Sequence, residues 1–191
     1  MSECVLTGPA PVPAISMLTT QHRDLERLWS DLRRDRAQHV EGQRTLLELV
    51  RLLSQHDALE MRVVYPELRM VGGEPGRRLA EQSADEHRTI RESLSLVDGR
   101  DLEDPVVFTT LSCCMATVAD HFEEEEQEVL PILHECCSLE RLVEMEARME
   151  LLLTVAPTHP QLTLSARFRA TAAGGVTSLG GRARKALRER G

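Results

Sequence analysis

Aromatic side chains are scarce in this chain. They make up 3% of its 191 residues: Trp29, Tyr65, Phe108, Phe122 and Phe168. A β-sandwich or barrel draws more heavily on aromatic and β-branched residues, so the deficit favours helices. Long apolar runs are missing too, and no segment is expected to span a membrane. The N-terminus offers no basic leader, and Pro9, Pro11 and Pro13 break its apolar stretch, so no secretory signal is expected. Five cysteines are an odd number, and four form the adjacent pairs Cys113–Cys114 and Cys136–Cys137. Helical neighbours point about 100° apart and do not readily bridge. Reduced thiols and a cytoplasmic location are the expectation. Excess positive charge is absent as well: the net charge of −8 argues against nucleic-acid binding.

What is present is enough for one domain with a short appendage. Hydrophobic residues reach 41%, sufficient for a packed core. The charge is unevenly placed. Residues 161–191 carry seven Arg/Lys and one Glu, so residues 1–160 carry a net −14. The expected organisation is a flexible lead-in over 1–12, a helical body over 13–156, and a basic tail over 157–191. The Ala/Gly-rich tail reads as mobile, with a short docking helix around Arg182–Arg190 as the alternative.

The body reads as helices throughout. Ile15, Leu18, His22, Leu25, Trp29 and Leu32 recur at spacings of three and four, one stripe of an amphipathic helix. A second helix is expected over about 43–71 and a third over about 76–98, separated by the stop signal Gly72-Gly73-Glu74-Pro75. A fourth runs from about Pro105 to 136, and a fifth from Ser138 to about Val155. Pro66 and Pro131 lie inside helices, where each should bend the helix or tighten its last turns. Four long helices with short connections predict an all-α, up-down-up-down four-helix bundle with an extra C-terminal helix.

The informative feature is an internal repeat at an offset of 65 residues. His22 maps onto His87, His56 onto His121, Glu60 onto Glu125 and Pro66 onto Pro131. Apolar neighbours follow: Leu25 with Ile90, Trp29 with Leu94, Leu32 with Val97, Val64 with Val129. One helical hairpin is used twice, giving approximate two-fold symmetry. All four histidines share their stripes with apolar residues and so face the interior. Glu60 and Glu125 stand four residues after His56 and His121, one turn along the same face.

Four imidazoles and two carboxylates inside a bundle are costly unless something satisfies them. Shared His–Glu hydrogen bonds account for a lone core histidine but poorly for a symmetric set of six. A cation accepts a lone pair from each. Six ligands exceed the four that one zinc ion takes and suit two ions. One ion would take His22 and His56, the other His87 and His121, with Glu60 and Glu125 bridging. Mixed nitrogen and oxygen ligation favours iron, with manganese or a mixed pair as alternatives.

At these residues the chain resembles the hemerythrin-like, or HHE cation-binding, family. The pattern is H…HxxxE…H…HxxxE: His22, His56 with Glu60, His87, His121 with Glu125, over roughly residues 14–156. The resemblance implies an oxo- or hydroxo-bridged di-iron centre in a protein that binds oxygen, senses oxygen or nitric oxide, handles iron or peroxide, or acts as an oxidase. Two departures from the oxygen carriers stand out. Ser83 occupies the position of their additional histidine, and Glu125, with Glu126 as competitor, stands where they use HxxxxD. Losing the additional histidine leaves room on both ions and favours activation or consumption of oxygen or peroxide, with a small organic substrate as a further partner. A non-catalytic oxygen, nitric oxide or iron sensor or buffer is the alternative.

Other residues read as supporting. Asp57 reads as a solvated acid rather than an extra ligand, and Glu26 as an outer ion pair. Cys114, Trp29 and Tyr65 read as core, with Trp29 and Tyr65 also placed to support the centre or carry electrons. His39, His134 and His159 have no repeat mates and read as surface residues.

Overall fold

A computed structural model of the chain describes residues 12–35 and 37–161. The expected lead-in and most of the basic tail fall on residues 1–11 and 162–191, outside the described residues.

Every element among the described residues is helical. Helix α1 spans Ile15–Asp35 and α2 His39–Leu59. A π-helical turn, Glu60–Val64, joins α2 to α3, Tyr65–Val71. Helix α4 spans Gly73–Val97 and α5 Pro105–Glu124. A second π turn, Glu125–Val129, joins α5 to α6, Leu130–Cys136, and α7 runs Leu139–Leu153. Since α3 and α6 prolong α2 and α5, the architecture is four long rods in an up-down-up-down bundle with α7 added. Helix α1 packs on α2 and α4 on α5, while α7 lies against α2 and the first π turn.

Local chemistry sets the boundaries. Asp104 caps α5, its carboxylate accepting from the Val106 N–H, with Pro105 in the first turn; Ser138 caps α7 by accepting from the Arg141 N–H. Helix α4 begins three residues before the expected start, because Gly73 takes φ +59° and turns the chain within one residue of α3. The second rod likewise begins at His39 rather than 43.

The prolines do not tighten the last turns. The helices widen ahead of them instead of tightening. The Tyr65 N–H reaches back five residues to the Glu60 carbonyl, and the Leu130 N–H to the Glu125 carbonyl. A proline ring collides with the carbonyl four residues earlier, and a wider turn relieves that collision. Each widened turn opens on a candidate ligand glutamate.

The core has two apolar layers. One contains Leu25, Leu53, Ile90, Leu94, Val118 and Phe122. The other contains Leu18, Leu59, Leu68, Ala80, Val129 and Met145. Each rod passes from one layer to the other, and its candidate ligand histidine lies near the crossing. The polar groups therefore form a slab closed by hydrocarbon at both ends.

Candidate metal centre

The structure brings the six predicted residues together. His22, His56, Glu60, His87, His121 and Glu125 are all buried, none more than 3% exposed. One donor atom each from His22, His56, Glu60 and Glu125 lie within 4.8 Å of one another, as do donors from Glu60, His87 and His121. Glu60 belongs to both groups. Its Oε1 lies 2.7 Å from His56 Nε2, and its Oε2 lies 2.9 Å from His87 Nε2. Glu125 Oε2 lies 3.5 Å from His22 Nε2, and its Oε1 lies 3.8 Å from His121 Nε2.

Each of the four clustered histidines is held from behind. His22 Nδ1 donates to Glu126 (2.9 Å), His56 Nδ1 to the Gln21 side-chain carbonyl (2.9 Å), His87 Nδ1 to Asp57 (2.8 Å) and His121 Nδ1 to Glu86 (2.8 Å). An Nδ1 proton engaged outward leaves the Nε2 lone pair facing inward, the arrangement that metal-binding imidazoles use. Glu126 is thereby separated from Glu125: its side chain is 25% exposed and is shared between His22 and Arg23.

Asp57 corrects the reading of a solvated acid. It is buried, and its Oδ1 joins His87 to Arg91. Tyr65 is the residue the sequence most undersold. Its hydroxyl lies 2.7 Å from Glu125 Oε1 and 2.8 Å from His87 Nε2, inside the cluster. Trp29 is core, partly buried against Phe108. Cys114 is buried, and its thiol is pushed up to about 12 by that burial. His39, His134 and His159 are exposed, as expected.

Left to one another, the clustered groups are strongly perturbed. Burial alone would drag His22 down, but the Glu125 and Glu60 carboxylates facing its Nε2 hold it up at about 10. Burial likewise opposes His121, which Glu60 and Glu86 hold at about 11, and His87, which Asp57 and Glu60 hold at about 8. Burial would raise Glu60, yet the surrounding imidazoles keep it well below the usual carboxylate range.

Hydrogen bonds leave several atoms of the cluster unmatched. His22 Nε2, His56 Nε2, Glu60 Oε1 and Glu125 Oε2 are buried with no hydrogen-bond partner. The Nε2 atoms of His87 and His121 face each other at 3.0 Å. Orphaned donors of this kind carry a full desolvation penalty, which a cation between them removes. The residues therefore fit a metal centre.

The hemerythrin HHE cation binding domain matches residues 14–133, more than half of the chain. The chain belongs to this family. It is also 30% identical over 107 residues to an uncharacterized hemerythrin-like protein of Schizosaccharomyces pombe. That match covers 56% of this chain and 53% of the yeast protein, so the chain spans about half the length of this relative. No solved structure gives a significant match. Hemerythrin-type helices and a buried His/Glu cluster together make this a metal-binding module. No helix among the described residues is long and apolar enough to cross a membrane.

Proposed function

We propose that the chain is a non-heme di-iron protein that activates oxygen or peroxide, with His22, His56, Glu60, His87, His121 and Glu125 as its metal ligands. The observation that supports this most directly is the set of four buried donor atoms without hydrogen-bond partners, three from the first half of the repeat (His22, His56 and Glu60) and one from the second (Glu125). Two groups sharing Glu60 call for two ions, and mixed imidazole and carboxylate ligation suits iron, with manganese or a mixed pair as substitutes. Iron in such a site supplies one- and two-electron redox chemistry.

The chain's own residues provide the setting. The two apolar layers exclude bulk water from the slab between them, which strengthens every electrostatic interaction inside. Gln21, Asp57, Glu86 and Glu126 fix the four imidazole rings. Glu86 and Glu126 are about one-quarter exposed, so they join buried Nδ1–H groups to solvent and can pass protons across that boundary.

The reading separates from simple carriage by one cycle. Reduced protein exposed to oxygen is expected to consume it, without returning to the ferrous state when oxygen is withdrawn. Full recovery on deoxygenation would favour the alternative, a non-catalytic oxygen, nitric oxide or iron sensor or buffer. Oxygen uptake that rises with a small organic reductant would support oxidase activity.

A further inference from the structure

A cavity of about 360 Å³ lies between α1, α2 and the last residue of α7. Helix α1 gives it Gln21, Asp24 and Leu25, which share one face at spacings of three and four. Helix α2 gives it Arg51, Leu52 and Gln55, and α7 gives it Leu153. The cavity backs onto the metal centre. Gln21 is the residue that holds His56, and Gln55 is the chain neighbour of His56.

We propose that this cavity binds the small organic reductant, and that the molecule it takes is a neutral phenol of the hydroquinone type, a single ring carrying hydroxyl groups. The ligand's role rests on the functional reading above; its class rests on the chemistry of the cavity wall.

Size comes first. Small-molecule sites run from roughly 300 to 1,000 Å³, so this one, at the lower end, admits one substituted ring. Leu25, Leu52 and Leu153 supply apolar walls for that ring. The polar groups select its substituents. The Gln21 side-chain carbonyl is occupied by His56 Nδ1–H at 2.9 Å, and that of Gln55 by the Arg51 guanidinium at 2.7 Å. An amide whose oxygen is engaged serves a ligand by donating from its NH2 group. Asp24 accepts from Arg27 through Oδ1 at 2.9 Å, and a carboxylate has room for further donors. A hydroxyl group answers both kinds of wall: it accepts from an amide and donates to the carboxylate.

Charge excludes ionic ligands. Arg51 is neutralised by Glu48, which accepts from its Nε at 2.9 Å and from its Nη2 at 2.5 Å, and Asp24 is matched by Arg27. An ion entering the cavity would lose water without gaining an unmatched counter-charge. The repeat sharpens the contrast. Gln21, Arg51 and Gln55 correspond to Glu86, Ala116 and Asp120, so the second half does not repeat this donor set. A neutral amide stands behind His56 where a carboxylate stands behind His121.

Equilibrium dialysis of hydroquinone against the full chain, kept anaerobic so that the probe stays reduced, tests this. One saturable site per chain is expected, with no competition from benzoate at similar concentration. Leu153→Trp, which fills the cavity from α7 and touches no candidate metal ligand, should abolish the binding. Gln55→Leu should weaken it about 3–10-fold through the loss of one hydrogen bond. Both variants should keep the metal content of the native protein. No saturable binding, or unchanged affinity in Leu153→Trp, overturns the proposal. Iron uptake without a hydroquinone site overturns the cavity assignment and leaves the metal centre standing. Saturable binding to a chain that takes up no iron supports the cavity's ligand class and overturns the reading on which its role rests.

Discussion

At the residue scale, the outward contacts of the four histidines matter as much as the inward ones. Asp57 fixes His87 and is itself held by Arg91 at 2.5 Å. Asp57→Ala should weaken metal binding by roughly 10–100-fold, measured by competition with a chelator; unchanged affinity would mean that the ring needs no such support. His56→Ala or His121→Ala should lose at least one of two ions by elemental analysis, whereas exposed His134→Ala should lose none. The clustering of the four histidines and two glutamates was legible because a repeat of 65 residues marks them twice. Gln21 and Glu86, which hold His56 and His121, obey the same offset and were open to the same reasoning. Asp57, Glu126 and Tyr65 have unlike repeat mates, and no sequence spacing marks a contact between different rods.

At the element scale, the joints between helices hold the rods that carry the clustered histidines in register. A Cβ added to Gly76 would stand 2.6 Å from the Leu68 carbonyl oxygen, so α3 and α4 meet there with only hydrogen between them. Gly76→Ala should destabilise the protein by about 1–3 kcal/mol through forced separation of those backbones, read from denaturant unfolding; a neutral result would show that the joint yields. Helix α7 is tied to α3 by Arg141, whose guanidinium donates twice to buried Glu67, and its Met145 is fully buried. Met145→Ala should cost about 2–5 kcal/mol with metal content retained. Helix positions were readable from periodicity and caps. The π turns were not, because apolar spacing does not report an extra residue taken up within one turn.

For the whole molecule, the buried polar slab is expected to tie folding to metal. Metal in roughly 1,000-fold excess over its Kd stabilises a fold by about 4 kcal/mol, or about 10 °C at this size. Equal melting temperatures with and without chelator would contradict that coupling. The pH dependence of stripped protein has a definite sign. His22, His87 and His121 are held above their ordinary 6.5, at about 10, 8 and 11. Their stabilisation is complete below about 6.5 and is lost as pH rises through about 8 and then 10–11. The stripped protein should melt progressively lower from about pH 7 to about pH 10. Metal takes the place of those protons, so the gap between loaded and stripped protein should widen over the same range. A melting temperature of stripped protein that climbs over this interval would contradict the assignment of charge in the slab.

The most direct test of the central claim is metal content, measured together with the optical spectrum as anaerobic, reduced protein is admitted to air. Two iron ions per chain are expected, one for each donor group around Glu60, with a ferric charge-transfer spectrum developing as oxygen enters. Folded protein that retains no transition metal after reconstitution, and whose spectrum does not change in air, would contradict it.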